Sequence, residues 1–249
     1  MTTQRILFVA EDADALALEA AGRVTRLIHD ALAERGIARV ALSGGSTPTR
    51  LYRRLAAPPF SKAIDWSKVH LYLADERFLP HDHPDSTTRL IRESLLSGIE
   101  LPEDHFHPMP TAGIPEDCAR DYQRQLDAFF EPQGPGLDLA LLGMGPDGHT
   151  ASLFPGLPDL LSRVGAVHQS PKPPATRLSL SREALNSSRA IWFLITGADK
   201  AKTLKRVFDS DLNDPKALPA ARIEALDHTS LWLTDPAAAA ELRQPNSDP

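Results

Sequence analysis

Short and almost uninterrupted apolar runs alternate along this chain with longer segments whose apolar residues recur at helical spacing. Four of these runs lie at 38–43, 69–77, 137–143 and 190–197. A strand that is apolar at nearly every position has to be buried on both faces, as in a parallel sheet that helices cover on both sides. The alternation therefore predicts an α/β, Rossmann-like fold with a mostly parallel sheet and helices on both faces.

The two ends of the chain fit the same pattern. The apolar run at 5–10 leads into a segment of helical periodicity that Gly36 ends, and another short apolar run lies at 231–234. In open α/β sheets, ligands bind beyond the carboxyl ends of the strands. Functional residues are therefore expected directly after the four central runs. These segments are 43–50, 74–80, 143–149 and 196–200.

Length, charge and cysteine content exclude several classes of protein. The 249 residues suit one α/β domain, so we expect a single domain over 1–249. A formal net charge of −6 argues against a nucleic-acid partner, and no apolar run reaches the roughly 18 residues of a membrane span. The single cysteine, Cys118, cannot form an internal disulfide, and no signal-peptide pattern is visible. These features predict a cytoplasmic protein. We expect a monomer or a homodimer.

The segment SGGSTPTR has the composition of an anion-binding loop. Glycines let backbone N–H groups approach an anion closely, hydroxyl groups can donate further hydrogen bonds, and the start of the following helix favours negative charge. The candidate binding residues are Ser43, Gly44, Gly45, Ser46 and Thr47. A plain strand-to-helix turn with a Ser or Thr cap is the alternative. The segment matches neither G-x-G-x-x-G nor G-x-x-x-x-G-K-[ST], which disfavours a nucleotide.

Two cations further along the chain are available to neutralise a bound phosphate. Lys200 lies at the start of the helical segment after the run at 190–197, and Arg177 follows the proline-rich piece QSPKPPAT. Prolines restrict the backbone, so the direction of the Arg177 side chain is set more firmly than in a free loop. We therefore expect 169–177 to be a loop that shapes a pocket. A solvated helical lysine is the alternative for Lys200.

The segment ADERFLP ends an apolar run with three consecutive charges. Asp75 is expected to take a polar role towards a substrate, and Arg77 to bind anionic oxygens. A strand end that faces solvent is the alternative explanation. The tripeptide His-Asp-His follows at 81–83, but without a third spaced group of ligands it predicts no metal site.

The segment GMGPDGHTAS brings an acid and a histidine together. Asp147 and His149 are separated by Gly148, which allows a tight turn, so both side chains can face one pocket. An Asp beside a His fixes its tautomer and raises its basicity, as a general base near neutral pH requires. The alternative is a structural histidine whose ring nitrogens form hydrogen bonds within the loop. Ser152 does not lie in a G-x-S-x-G elbow and Cys118 lies in a helical segment, so neither is expected to be a nucleophile.

The chain resembles the 6-phosphogluconolactonases in five segments taken in order, SGGSTPTRLY, LADERFLPHDHPDS, LLGMGPDGHTASLFPG, SPKPPATRLSL and GADKA. The resemblance covers nearly the whole chain from about residue 38. It implies hydrolysis of 6-phospho-D-glucono-1,5-lactone to 6-phosphogluconate, the second step of the oxidative pentose phosphate pathway, without a cofactor. It also implies a fold similar to that of glucosamine-6-phosphate deaminases and ribose-5-phosphate isomerases.

Two positions distinguish the chain from its relatives. The deaminases carry an acid at the fifth position after the histidine of their D-G-H loop, where this chain has Phe154. The resemblance therefore favours a lactonase over a deaminase or isomerase. Lactonases commonly have Asn after the Asp-Ser of the segment that follows DER, where this chain has Thr87.

A non-catalytic sugar-phosphate sensor is the alternative function from another class of protein.

Roles for the candidate residues follow from this resemblance. His149 is expected to take a proton from water while Asp147 orients its ring. Arg77 is expected to stabilise the oxyanion or to bind the substrate hydroxyl groups, with Asp75 hydrogen-bonding the sugar. Residues from three segments are expected to hold the sugar phosphate. They are Ser43, Gly44, Gly45, Ser46, Thr47, Arg177 and Lys200.

Overall fold

The structure is a computed structural model that describes residues 4–130, 136–211, 214 and 216–242. These residues form ten strands and seven α-helices. The strands are β1 (Gln4–Val9), β2 (Ala38–Leu42), β3 (Val69–Leu73), β4 (Asp75–Arg77), β5 (Phe106–His107), β6 (Leu139–Leu142), β7 (Val164–Val167), β8 (Arg177–Leu180), β9 (Ala190–Ile195) and β10 (Thr229–Thr234). The helices are α1 (Ala13–Arg35), α2 (Ser46–Leu55), α3 (Phe60–Ala63), α4 (Thr87–Ser94), α5 (Pro115–Phe130), α6 (Arg182–Asn186) and α7 (Ala201–Asp209). None of these helices is long and apolar enough to cross a membrane.

Seven of the strands form one parallel sheet, in the order β1-β10-β9-β6-β2-β3-β5. Every residue of β2, β3 and β6 is buried, because these strands lie inside the sheet and helices flank it. The α/β, Rossmann-like prediction is confirmed. The single-domain prediction over 1–249 extends to residues outside the described ranges, and it stays a prediction.

Helix α1 connects the edge strand β1 to the central strand β2. The carboxylate of Asp12 caps its start by accepting hydrogen bonds from the N–H groups of Asp14 and Ala15. Gly36 ends the helix with φ of 72°, a conformation that glycine adopts without the steric cost that a Cβ would bring. The helix therefore ends where the sequence predicts it.

The direction of the chain through the sheet reverses between two neighbouring strands. From β2 the chain moves through β3 towards the edge at β5, whereas from β6 it moves through β9 and β10 towards the edge at β1. Strands β2 and β6 are hydrogen-bonded neighbours. Connections that leave in opposite directions open a crevice beyond the carboxyl ends of such a pair, which is where open α/β sheets bind ligands.

The apolar run at 69–77 forms two strands, so the prediction of one continuous strand is wrong. Ala74 is the point of separation, because its N–H group donates to Leu42 of the large sheet while its carbonyl accepts from Leu180, both at 2.8 Å. After Ala74 the chain enters a small antiparallel sheet of order β4-β8-β7. This second sheet places the charged residues of β4 beside β8.

Candidate active site

A cavity of about 230 Å³ lies at the carboxyl ends of the central strands, beside the reversal between β2 and β6. Ten of the eleven predicted site residues line it, although they come from distant parts of the chain. These ten are Ser43, Gly44, Gly45, Ser46, Thr47, Asp75, Arg77, His149, Arg177 and Lys200. The eleventh, Asp147, contacts the His149 ring from outside the lining. The fold therefore brings the predicted residues to one place, as action on a single ligand requires.

The glycine-rich loop after β2 is held rigidly by Tyr52. The Tyr52 hydroxyl donates to the carbonyl of Ser43 at 2.8 Å and accepts from its N–H group at 3.1 Å. Gly45 precedes α2 with φ of 116°, in the region that favours glycine. At Gly44 a Cβ would lie 3.1 Å from Thr87 Oγ1 and 3.4 Å from a guanidinium nitrogen of Arg77, so a side chain there would crowd both neighbours.

The start of α2 lines the cavity. The first N–H groups of a helix have no partner within the helix, and no acid lies in the first turn of α2, so this end attracts an anion. The Thr47 hydroxyl lies 2.7 Å from that of Thr196, which ties the loop after β9 to α2. The buried Oγ of Ser43 makes no hydrogen bond within the described part of the chain. These groups suit the oxygens of a phosphate.

Lys200 lines the same cavity from the loop after β9. It ends a 3-10 turn that begins after Gly197 and directly precedes α7. Its ammonium nitrogen lies 2.5 Å from a carboxylate oxygen of Asp199, and 19% of the side chain is exposed. The ammonium group of Lys200 is therefore mostly enclosed and lines the cavity. It is not the solvated helical lysine that was the alternative.

Arg177 is more deeply buried than a simple phosphate contact requires, with 6% of its side chain exposed. Its guanidinium donates to the carbonyls of Pro173 at 3.2 Å and of Lys172 and Pro174 at 3.4 Å. Burial lowers the pKa of Arg177, against the opposing charge of Asp75 at 3.9 Å. Arg177 therefore holds the proline-rich loop in shape while it lines the cavity.

Strand β4 presents Asp75 and Arg77 to the cavity. The buried carboxylate of Asp75 accepts a hydrogen bond from the Ser152 hydroxyl at 2.7 Å, which joins β4 to the segment after the D-G-H loop. Arg77 donates to the carbonyl of Asp85 at 3.0 Å and lies opposite Arg177 in the antiparallel pairing of β4 with β8. The two guanidinium groups give this side of the cavity a positive charge.

Glu76, between these two residues, points the other way and has no exposed surface. Its carboxylate accepts hydrogen bonds from the N–H groups of Arg77, Thr87 and Thr88 at 2.7–2.8 Å and from the Ser86 hydroxyl at 3.1 Å. Two of these N–H groups belong to the first turn of α4, which would otherwise be unsatisfied. Glu76 therefore fixes β4 to α4 and supports the position of Arg77.

The D-G-H loop turns sharply so that His149 meets Asp147. Nδ1 of His149 lies 2.5 Å from Oδ1 of Asp147, and a Cβ at position 145 would lie 2.1 Å from the imidazole, which only Gly145 allows. Gly148, at φ of 85°, makes the turn between the two side chains. The close pairing is the arrangement that the sequence predicts for an oriented imidazole.

Phe154 packs against the side of this loop that carries His149. Its ring centroid is 4.8 Å from that of His149, and the guanidinium carbon of Arg177 lies 5.7 Å from it. Only 2% of Phe154 is exposed. At the position where the deaminases carry an acid, this chain thus places a buried apolar ring in contact with the histidine.

Lys172 is a cavity residue that sequence reasoning missed. Its ammonium nitrogen lies 3.4 Å from Nδ1 of His149 and 3.8 Å from Oδ1 of Asp147. Burial is the largest cause that lowers the pKa of His149; the Lys172 charge lowers it further, whereas Asp147 raises it. The pKa of Asp147 is below its usual value, because the contacts with His149 and Lys172 outweigh the effect of burial. The imidazole is therefore neutral, and able to accept a proton, at pH 7.

The His-Asp-His tripeptide at 81–83 takes part in loop contacts. A ring nitrogen of His81 lies 2.8 Å from the carbonyl of Met109, and His83 Nδ1 accepts from the N–H group of Asp85 at 3.0 Å. Within the described residues, no three His, Cys, Asp or Glu side chains converge as metal ligands would.

Comparison with known proteins adds an independent observation. A family model described as glucosamine-6-phosphate isomerases/6-phosphogluconolactonase matches residues 11–232. The 6-phosphogluconolactonase of Synechocystis sp. is 40% identical over 224 residues, which are 88% of this chain and 91% of that protein. The 6-phosphogluconolactonase of Mycobacterium tuberculosis is 38% identical over 241 residues, covering 93% and 96% of the two chains.

The fold is also similar to that of a solved relative. The crystal structure of 6-phosphogluconolactonase from Thermotoga maritima matches with a TM-score of 0.81 and 29% identity, over 93% of this chain and 100% of the other. The range matched by the family model contains all eleven predicted site residues. The chain therefore belongs to the 6-phosphogluconolactonase family, a family of lactone hydrolases within the glucosamine-6-phosphate isomerase/6-phosphogluconolactonase superfamily.

Proposed function

We propose that this protein hydrolyses 6-phospho-D-glucono-1,5-lactone to 6-phospho-D-gluconate in the oxidative pentose phosphate pathway, with His149 as a general base that activates water. The observation that carries the proposal is the pair of His149 and Asp147, 2.5 Å apart at one wall of an anion-binding cavity. Asp147 accepts the Nδ1 proton, so the lone pair of Nε2 is free to take a proton from water.

The reaction needs a proton acceptor, a donor and a site for an oxyanion. His149 Nε2 takes a proton from water as the water oxygen bonds to the lactone carbonyl carbon, and the carbonyl oxygen becomes an oxyanion. Arg77 is the cation proposed to stabilise that oxyanion. When the bond from this carbon to the ring oxygen breaks, the imidazolium returns its proton to the ring oxygen, which becomes a hydroxyl group. The product acid then loses a proton to solvent.

The other cavity residues are proposed to hold the substrate in register. The start of α2, the Ser43 to Thr47 loop and Lys200 suit the doubly charged phosphate, whereas Asp75 suits a sugar hydroxyl group. Arg177 adds positive charge and fixes the proline-rich loop. Binding the phosphate far from the reacting carbon would fix the lactone over His149, which lowers the entropic cost of reaction.

The buried ring of Phe154 supports hydrolysis over deamination or isomerisation. Ring opening and proton transfer in the deaminases use an acid at this position, and Phe154 has no ionisable group. The chemistry proposed for His149 needs no redox cofactor and no metal, since the lactone is already reactive. We also propose a cytoplasmic location, on the sequence grounds given above, and a monomeric or homodimeric state.

The proposal is tested by forming the lactone in situ from glucose 6-phosphate with glucose-6-phosphate dehydrogenase and limiting NADP⁺. Once NADP⁺ is exhausted, the release of acid is followed in weak buffer with and without the protein, and spontaneous hydrolysis is subtracted. We expect faster acid release with the wild-type protein and a rate near background with His149→Ala. Equal rates with and without the wild-type protein would refute lactone hydrolysis, and ammonia release from glucosamine 6-phosphate would point to a deaminase.

A further inference from the structure

A second cavity, of about 840 Å³, lies beside the catalytic one and takes no part in the mechanism above. Its volume falls within the roughly 300–1,000 Å³ that small-molecule sites occupy. It is formed mainly by the segment after the D-G-H loop, by β7 and by the residues around Leu218. No residue of the predicted catalytic or phosphate-binding set lines it.

Two side chains separate the second cavity from the catalytic loop. Phe154 lines the second cavity and contacts the His149 ring at 4.8 Å between centroids. Leu218 also lines it and packs on Gly148, where a Cβ would lie 2.7 Å from the Leu218 side chain. A ligand in this cavity would therefore touch both side chains that support the catalytic loop without entering the catalytic cavity.

The walls of the cavity are mostly apolar. Leu153, Phe154, Leu157, Leu160 and Val167 supply alkyl and aromatic surface, with prolines beside them. Surface of this kind suits a flat or compact apolar body of the size of one or two rings, because burying such a body removes apolar area from water.

The rim carries more positive than negative charge. Arg182 and Arg222 both donate to the one carboxylate of Asp159, at 2.9 Å and 3.0 Å, and Lys216 adds a third cation to the lining. The Nε group of Arg182 is buried and makes no hydrogen bond within the described ranges. Two guanidinium groups on one carboxylate leave donor capacity for a second anionic group.

We propose that this second cavity is a binding site for a small organic anion that has an aromatic or alicyclic body and one carboxylate, sulfonate or phosphate group. The body lies against Phe154 and Leu160, and the anionic group bonds to Arg182 and Arg222. The proposal does not depend on lactone hydrolysis, because its test needs no turnover.

The test is a fluorescence titration of the full chain with 8-anilinonaphthalene-1-sulfonate, which combines an aromatic body with one sulfonate. We expect saturable binding to one site. Arg222→Gln should raise the Kd about tenfold or more, because a charged hydrogen bond is lost. Asp159→Asn should lower the Kd several-fold, because the competing carboxylate is removed. The matched control is Arg124→Gln, at an arginine on α5 with 76% of its side chain exposed, which should leave the Kd unchanged.

A cavity-filling variant covers the case in which Arg222→Gln unfolds the protein. Ala166→Phe adds a ring to the lining of the cavity without removing a charge, and it should abolish dye binding at an unchanged thermal midpoint. N-Phenyl-1-naphthylamine, the uncharged analogue of the dye, should bind about tenfold more weakly. The proposal is wrong if dye binding does not saturate or if the neutral analogue binds as tightly as the dye. It is also wrong if excess 6-phosphogluconate displaces the dye and the Ala166→Phe variant binds the dye with an unchanged Kd.

Discussion

The ammonium nitrogen of Lys172 lies 3.4 Å from Nδ1 of His149, the same ring nitrogen that contacts Asp147 at 2.5 Å. The histidine thus has a cation and an anion on one side, and they act on its pKa in opposite directions. Burial lowers the pKa of His149 most, Lys172 lowers it further, and Asp147 raises it. Lys172 therefore helps to keep the proposed base unprotonated near neutral pH.

Removing the Lys172 charge should move the acid limb of the pH profile to higher pH. In Lys172→Gln the imidazolium loses a repelling neighbour, so the pKa of His149 rises. Activity depends on neutral His149, so the rate of the variant should fall at a higher pH than that of the wild type as pH is lowered. The measurement is kcat/KM from pH 5 to 8. Lys172→Arg keeps the charge, so its activity should fall at the same pH as that of the wild type. If the activity of Lys172→Gln also falls at the wild-type pH, Lys172 does not affect the pKa of His149.

Lys172 also shows where sequence reasoning stops. The PKPP motif contributes to the family resemblance, but only the fold of the 169–177 loop, held by Arg177, brings Lys172 to His149. The inward position of Glu76, by contrast, can be predicted from the sequence by the alternation of side chains along a strand. Alternate residues of a strand point to opposite faces, so in Asp75-Glu76-Arg77 the central acid has to face away from the cavity.

The predictable part of the fold rests on local patterns. Strands β2 and β6 are buried at every position and lie in almost uninterrupted apolar runs, and the rule on strand ends then locates the cavity. Strand β5 has only two residues, too few for a periodicity to be recognised. The break at Ala74 depends on hydrogen bonds to two sheets, which a single apolar run does not encode.

Replacing the histidine should mainly reduce turnover. We expect His149→Ala to lower kcat by roughly 100- to 10,000-fold, because the general base is lost, with a small change in KM. Asp147→Asn keeps the imidazole but replaces an acceptor-only carboxylate with an amide, whose N–H₂ group can donate to Nδ1 and favour the wrong tautomer, so kcat should fall about tenfold or more. The kcat and KM of both variants are measured from initial rates on freshly formed lactone, corrected for spontaneous hydrolysis. A His149→Ala variant with wild-type kcat would remove His149 from the mechanism.

Replacing Lys200 should mainly weaken binding. The Lys200 ammonium group lines the cavity next to the start of α2, so its loss in Lys200→Ala removes one charged contact to the phosphate. We expect KM to rise roughly 10- to 100-fold with little change in kcat. Lys202→Ala, two residues along at an exposed position of α7, is the matched control and should keep the wild-type KM. A larger effect on kcat than on KM would place Lys200 near the reacting atoms instead.

Two neighbouring histidines, His70 on β3 and His107 on β5, should make the protein sensitive to acid. His70 Nδ1 lies 3.0 Å from His107 Nε2, and burial, with the charge of His105, lowers the pKa of each from 6.5 to about 4. Below pH 6.5 the unfolded chain therefore binds protons that the folded protein does not, so stability falls as pH drops towards 4. We expect the free energy of unfolding to decrease by about 2 kcal/mol over this range, since partial solvation screens both rings. Urea unfolding from pH 7 to 4 measures this, and His107→Gln should show a smaller decrease than the wild type.

Replacing Glu76 should reduce both stability and activity, although it touches no substrate. The N–H groups of Thr87 and Thr88 donate to different oxygens of the Glu76 carboxylate, so in Glu76→Gln the amide N–H₂ group faces one of these donors, which is left buried without an acceptor. We expect a loss of about 2 kcal/mol in the free energy of unfolding and a fall in kcat, because Arg77 loses its support. The matched control is Glu93→Gln on α4, whose exposed pair with Arg89 should contribute about 0.5 kcal/mol or less. Urea unfolding and kcat measured on the folded variant separate the two effects, and an unchanged kcat would limit Glu76 to a structural role.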